Sequence, residues 1–465
     1  MIVLPLALAQ FVASYAATTM TVAVSPIAAD LGTTVLGVQT AITVFTLTMA
    51  SLMVPGSKLS DLLGRKRCFL AGLAVYGGGA LLAAAAHGPA LLILGYSVLE
   101  GIGSALMIPP IYILITVASP GLAARARAFG VVSGAGALGA AAGPLVGGLV
   151  TTWLGWRASF LLQVLLVALI VLLTVRLTEP PAPPRDREFD VAGALLSAAG
   201  LFFVVFGVLR TGTYGWLVSR ADFAVGGVVL LPAGGISPVW LFAGIGAGFL
   251  VVFFAHVRSR ERAGRAALVP SGLFRDRGTR LGLITQHVQW LVLQGSFFVV
   301  AVFLQEVRGY DAIGTGLLLT PATAGILGAS AAAGRLARRH PQRRLVRAGF
   351  AVTVAGLALV LLLVRADSGV ASVVPGLFLL GAGVGVMLTA SVNLVQSRFP
   401  DAAQGDISGV SRSVSNLGSS VGTALAGSVL AGTPHLGGRS FALALATLGV
   451  VAVAGLAAAL RLPSD

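Results

Sequence analysis

Charge is what this sequence has least of. Only 10% of its residues are Asp, Glu, Lys or Arg, where a soluble domain carries about 25%. A water-soluble globule must cover its surface with polar groups. That shortage, with 57% hydrophobic residues and a mean hydropathy of +0.95, excludes one. The same figures exclude disordered and collagen-like chains. The single cysteine, Cys68, permits no internal disulfide, so a disulfide scaffold is excluded too. Acids are scarcer than bases, 16 against 31, leaving a net charge of +15. A basic excess marks nucleic-acid binding only where it forms a patch on a soluble surface. Here the basic residues sit in short loops between apolar runs, where they set membrane topology, and no nucleic-acid partner is expected. Also missing are a metal-ligand cluster, a Gly-x-x-x-x-Gly-Lys-Ser/Thr phosphate loop and a nucleophile–histidine–acid set. No enzyme activity, cofactor or metal is therefore expected, and any energy source has to be an ion gradient or a solute's own gradient.

What is present is a series of membrane spans. A helix needs about 20 apolar residues to cross a bilayer, and fourteen stretches qualify. They are Ile2–Val24, Val38–Pro55, Phe69–Ala86, Ala90–Ile113, Val131–Val150, Ser159–Val175 and Val191–Leu209, then Val239–Val257, Leu283–Leu304, Ile313–Ala333, Leu345–Val364, Val373–Asn393, Val410–Leu430 and Phe441–Leu460. The run Ala224–Ile236 is too short to span, is broken by Pro232, and reads as a loop resting at the interface. With the loop holding Lys58, Arg65, Lys66 and Arg67 in the cytoplasm, strict alternation puts 25 of the 31 Lys and Arg inside and six outside. Both termini are then cytoplasmic. The chain opens directly on its first span, and Ala7-Leu8-Ala9 comes too early for a signal-peptide cleavage site. The expected fold is an all-α integral membrane protein: a six-helix bundle over 1–177, a region 178–280 with two linkers and two additional spans, and a second six-helix bundle over 281–465. The first linker, Thr178–Asp190, holds Pro180, Pro181, Pro183 and Pro184 and reads as a stiff extended segment. Two such halves suggest an internal duplication.

Two motifs have definite chemistry. After span two the chain reads Ser57-Lys58-Leu59-Ser60-Asp61-Leu62-Leu63-Gly64-Arg65-Lys66-Arg67. Gly64 allows a tight reversal, Arg65, Lys66 and Arg67 anchor to the inner surface, and Asp61 can accept hydrogen bonds from the arginines or a helix N-terminus. Such a contact can latch two bundles together. Span five reads Gly139-Ala140-Ala141-Ala142-Gly143-Pro144-Leu145-Val146-Gly147-Gly148. Gly139, Gly143 and Gly147 share one helical face and let a neighbouring helix approach closely, Pro144 removes one backbone hydrogen bond and bends the helix, and Gly148 completes the motif. The first motif resembles the loop signature of the major facilitator superfamily, with Ser57 where that family usually has glycine. The second resembles its antiporter signature. Pro26-Ile27-Ala28-Ala29-Asp30-Leu31-Gly32, Gly155-Trp156-Arg157-Ala158-Ser159-Phe160, Phe189-Asp190-Val191-Ala192-Gly193 and Leu273-Phe274-Arg275 are similar to segments of its fourteen-span drug:proton antiporter branch.

The sequence departs from that branch at two places. An aspartate usual in span one is replaced by Ala17. An arginine usual in span four, in an Arg-Val-Leu-Gln-Gly context, is replaced by Ser97, and the glutamine by Glu100. Glu100 is the one acid of the chain near the middle of a span, where a charge costs roughly 2.5–3.5 kcal/mol on insertion scales. An acid neutral in one conformation and ionised in another is what proton coupling requires, so Glu100 is the candidate carrier. The alternative is a permanently protonated Glu100 that donates one hydrogen bond between helices. His287 is the one histidine well inside a span and can titrate near neutrality. It shares a face with Leu291 and Gln294, beside Trp290. Gln39, Gln163, Trp290, Gln294 and Asn393 are candidate groups of a substrate cavity.

The resemblance implies a monomeric secondary transporter in the cell (plasma) inner membrane. It would export small amphipathic compounds, drugs or secondary metabolites, in exchange for protons by alternating access. Its partners are a small-molecule substrate, protons and the lipid bilayer. A proton-independent uniporter or metabolite importer of the same fold is the alternative, motivated by Ala17 and opposed by the antiporter signature.

Overall fold

A computed structural model describes residues 2–118, 122–175, 189–225, 228–337, 339–364, 368–399, 404–432 and 438–463. The first half contains α1 (Val3–Val22), the short α2 (Val24–Asp30), α3 (Val35–Leu63), α4 (Arg65–Ala84), α5 (Pro89–Leu92), α6 (Gly101–Ala118), α7 (Leu122–Leu154) and α8 (Trp156–Val175). A π-helical segment, Ile93–Glu100, joins α5 to α6 in one continuous span. The inserted pair is α9 (Val191–Tyr214) and α10 (Pro238–Arg262). The second half contains α11 (Arg277–Val302), α12 (Ala312–Leu336), α13 (Gln342–Leu363), α14 (Val373–Gln396), α15 (Gln404–Ala431) and α16 (Gly438–Leu460).

Several of the long helices start where the sequence supplies a side-chain acceptor for the free N–H groups of the first turn. Thr34 caps α3, Asp190 caps α9, Asp276 caps α11 and Asp311 caps α12. Gly64 turns α3 into α4 at φ +94° and Gly155 turns α7 into α8 at φ +84°, conformations open to glycine. Buried threonines inside the spans return their hydroxyls to the carbonyl one turn earlier, as Thr46 does to Ile42 and Thr353 to Gly349.

Thirteen of these described helices are long and apolar enough to cross a membrane. The remaining span is α15. It occupies the place of the thirteenth stretch, Val410–Leu430, but its serines, among them Ser411, Ser413, Ser415, Ser419 and Ser420, make it too polar to stand alone in lipid. It is instead walled in by α3, α6, α9, α11, α14 and α16. Six spans of the first half pack together, α1 on α7 and α4 on α6 and α8; six of the second do so through α11, α14 and α16. The halves meet along two seams, α3 with α15 and α7 with α12. The inserted α9 lies against both α3 and α15, over the first seam, with α10 outside it.

One sequence expectation changes. The run Ala224–Ile236 forms strands: β1 (Phe223–Val225) pairs antiparallel with β2 (Val228–Leu231), and Val218 bridges Ile236. Its β-branched residues, bounded by Pro232 and glycines, suit a hairpin more than a plain loop. The segment between α10 and α11 packs inward. Leu268, Val269 and Leu273 are buried with Phe253, Val257, Val395 and Ile407 in a second apolar core. Of the proline linker, only Phe189 and Asp190 fall among the described residues.

Candidate functional site

Glu100 ends the π-helical segment and is 0% exposed. Local glycines put it there. A side chain on Gly79 of α4 would lie 2.7 Å from the Glu100 backbone nitrogen and 2.7 Å from the Gly95 carbonyl oxygen, so only glycine lets the two segments touch. Tyr76 of α4 and Tyr96 flank the carboxyl group. The Tyr76 hydroxyl donates to Gln163 Oε1 at 2.5 Å, and Gln163 Nε2 donates to the Ser159 carbonyl at 3.3 Å. By hydrogen-bond geometry neither Glu100 oxygen has a partner among the described residues, although the Tyr76 hydroxyl faces it. An unpaired carboxylate costs several kcal/mol in such a place. Gln163 holds the tyrosine hydroxyl that faces Glu100. Ser97, which stands where arginine was expected, donates to the Ala41 carbonyl at 2.7 Å.

The loop after α3 brings its own contacts. Lys66 Nζ donates to the Val175 carbonyl at 2.8 Å, neutralising the carbonyl end of α8. Arg65 is buried and Arg67 is exposed. The Asp61 side chain lies outside the described residues. Lys58, a variable position of the motif, pairs with Asp406 at the start of α15 at 2.7 Å and ties the two halves at this end. The opposite end has its own ties. Ser25 N–H donates to Gln305 Oε1 at 3.0 Å, Gln305 Nε2 to the Thr21 carbonyl at 3.2 Å, and Ser25 Oγ to Glu306 Oε1 at 2.6 Å. Asp30 there accepts from Arg157 at 2.6 Å and from Trp156 Nε1 at 3.1 Å, uniting two motifs distant in the chain. Its carboxyl lies below the usual aspartate range because Arg157 hydrogen-bonds to it.

The glycine seam has two partners. Side chains on Gly139, Gly143 and Gly147 would collide with Phe11, Thr18 and Thr19 of α1, inside the first half. Gly148 instead meets the Ala312 carbonyl of α12, where a Cβ would lie 2.5 Å away. Gly316 of α12 meets the Pro144 carbonyl in turn. The motif is thus both an intra-bundle contact and part of the α7–α12 seam.

The remaining candidates are scattered. His287 places Nδ1 3.2 Å from the Val414 carbonyl of α15, and Gly418 packs on its backbone. It is not in contact with Glu100 among the described residues. Gln39 Nε2 donates across the halves to the Thr423 carbonyl at 3.0 Å. Gln294 is buried in α11 and Trp290 is half-buried. Asn393 is exposed near the end of α14, beside Gln342 and Gln396, and does not join the others. Sequence reasoning missed Gln286 and Gln289, which accept from Ser411 (2.8 Å) and Ser391 (3.0 Å). It also missed Arg412, counted as a topological charge. Arg412 donates to the Tyr112 hydroxyl and stacks on that ring at 4.8 Å, and Tyr112 donates to Gln10 Oε1 at 3.2 Å. A cation inside an apolar run was the signal available.

Residues 6–229 and 223–423 match the profile of the Major Facilitator Superfamily. The chain belongs to that superfamily. As a major facilitator protein it is a multipass plasma-membrane transporter of small molecules rather than an enzyme. It is 29% identical over 86% of its length to the multidrug resistance protein Stp of Mycobacterium tuberculosis, covering 71% of that protein. It is 30% identical to the probable actinorhodin transporter of Streptomyces coelicolor, over 89% of this chain and 69% of that one. It is also 30% identical to the puromycin resistance protein pur8 of Streptomyces alboniger, over 91% and 80%. A crystal structure of the nucleoside transporter NupG shares the fold at a TM-score of 0.65 over the whole of both chains, with 12% identity.

Proposed function

We propose that this major facilitator protein exports small amphipathic compounds, drugs or secondary metabolites, in exchange for protons. The first bundle (1–177) and the second (281–465) rock about the two seams, with 178–280 riding on one of them. The protein works as a monomer with both termini in the cytoplasm. The names of its relatives support the exporter part. One observation carries the proton part: Glu100 is a fully buried acid with neither oxygen hydrogen-bonded in this state. A carboxyl group with no ion-pair partner stays protonated here, and releases its proton when the reverse state admits water or a charge partner. The Tyr76 hydroxyl, held by Gln163, faces it. His287, at the second half's α11–α15 contact, is a further group able to take up a proton. Charge movement supplies the energy: about 2.3 kcal/mol per charge per 100 mV.

Sealed proteoliposomes containing a pH-sensitive dye test this, with wild type beside Glu100→Gln. Substrate-triggered proton flux that disappears in the variant supports antiport with Glu100 as carrier. Flux that survives removes Glu100 from that role and moves attention to His287. Substrate movement without protons in either protein identifies a uniporter, the reading that Ala17 and Ser97 motivate.

A further inference from the structure

Arg412 lies inside α15, six residues beyond Asp406, about 9 Å further along the helix at its ordinary rise. It is half-buried, as are Tyr112 and Ser14. Since α15 is enclosed by α3, α6, α9, α11, α14 and α16, it has no lipid-facing side, and the free part of Arg412 opens on the interior between the halves. Its contacts reach across that interior: the Tyr112 hydroxyl and ring on α6, then Gln10 on α1, whose Nε2 donates to Ser14 Oγ at 3.3 Å. On α11 the flanking Trp290 and His287 are half-buried, whereas every residue from Leu291 to Leu304 is buried. The interior is therefore closed over Leu291–Leu304, toward the Ser25 end.

Among the described residues the charge balance between the halves is one-sided. Among the described residues Arg412 has no carboxylate partner. Asp406 is paired with Lys58, Glu306 is held by Ser25 at the sealed end, and Glu100 sits behind Tyr76 and Tyr96 in the first bundle. The span-one position that is acidic in the resembled branch is Ala17, half-buried on α1. A half-buried cation whose described partners are a neutral hydroxyl and an aromatic face is short of counter-charge.

We infer that Arg412 is the anion-recognition residue of the central cleft, and that the exported compound is acidic. A carboxylate, sulfonate or phenolate of the substrate takes the place of the Tyr112 hydroxyl on the guanidinium, while its flat apolar part lies against the Tyr112 ring. A guanidinium presents a planar fork of donors suited to such groups. The inference rests on the exporter reading and names its substrate class.

The test uses the purified full chain and two xanthene dyes of similar size, anionic fluorescein and cationic rhodamine. Binding is followed by fluorescence polarisation and, separately, flux into sealed vesicles. Wild type should bind fluorescein in preference to rhodamine. Arg412→Gln should weaken fluorescein roughly ten- to hundred-fold, as loss of a charge-assisted hydrogen bond does, and Arg412→Lys should weaken it less. Tyr112→Phe keeps the cation and the ring but frees the guanidinium, so it should bind fluorescein at least as well as wild type; it tests the inference even if Arg412→Gln fails to fold. A wild type that prefers rhodamine or binds neither dye overturns the inference, as does a fluorescein affinity indifferent to Arg412→Gln. Charge-selective binding without flux leaves the inference standing and counts against the exporter reading instead.

Discussion

The glycines of span five are expected to fall into two classes when each is changed to alanine. Gly139 and Gly143 face α1 within the first bundle, and this contact is carried along in any rigid-body motion of that bundle. Gly148 faces Ala312 across the α7–α12 seam, where Gly316 faces Pro144 and the Ile313 N–H donates to Thr152 Oγ1 at 3.1 Å. This seam opens if the halves rock apart at the Ser25 end. Each added methyl group meets backbone or a constrained side chain, so the neighbour cannot simply swing aside. Overpacking of that kind costs about 1–3 kcal/mol. For Gly139→Ala and Gly143→Ala the cost falls on both transport states and appears as a lower Tm. For Gly148→Ala and Gly316→Ala it falls on the sealed state alone, and a bias of that size shifts the ratio of states by about 5- to 150-fold. The assay is labelling by a membrane-impermeant maleimide of a cysteine placed by Leu425→Cys near the sealed end, in a Cys68→Ser background. Labelling should rise in the seam variants and stay at the parental level in the α1-facing ones. Equal labelling in both classes, or a larger rise for Gly143→Ala, would refute the division into a moving seam and a fixed one.

Other expectations follow from named contacts. Glu100→Gln should abolish substrate-linked proton flux yet leave Tm within a degree or two of wild type, because the substitution removes no hydrogen bond and keeps the volume; a large fall in Tm would point to a structural role. Lys58→Asp should loosen the tie to Asp406, and the double swap Lys58→Asp with Asp406→Lys should restore it. The pair is about a quarter exposed, so the coupling in a double-mutant cycle should be modest, about 0.5–1 kcal/mol. Asp190 caps α9 through the Gly193 N–H at 2.9 Å, contacts His256 at 2.7 Å and accepts from the Leu268 N–H at 3.2 Å. Burial pushes its carboxyl up, but these hydrogen bonds and His256 outweigh that and hold it below the ordinary aspartate range. Its folded value being depressed, its contribution is present above the unfolded value near 3.9 and is lost as pH falls through the folded one. Asp190→Asn should therefore cost about 1–2 kcal/mol near neutrality, with the gap to wild type closing below roughly pH 4 in thermal unfolding.

The hydrophobic spans, the reversals at Gly64 and Gly155 and the close packing at Gly139 and Gly143 could all be read along the chain. Each depends on residues a few positions apart: transfer of an apolar stretch into lipid is a sum over that stretch, and a positive φ is a property of one residue. The hairpin at Phe223–Leu231 lay at the edge of this, since a short apolar run does not announce whether it pairs with itself. The contacts between halves were not legible. Which turn of α15 faces α3 or α6 is set by the rotation and register of whole helices. So Lys58 finding Asp406, Gln39 finding the Thr423 carbonyl and Arg412 finding Tyr112 are decided by packing. Glu100 shows both sides. Its sequence position alone determined that an acid lies at mid-membrane. Only the tertiary structure decided that it points at Tyr76, Tyr96 and Gln163 within the first bundle rather than at His287, because the π-helical turn and the Gly79–Gly95 contact rotate it against α4.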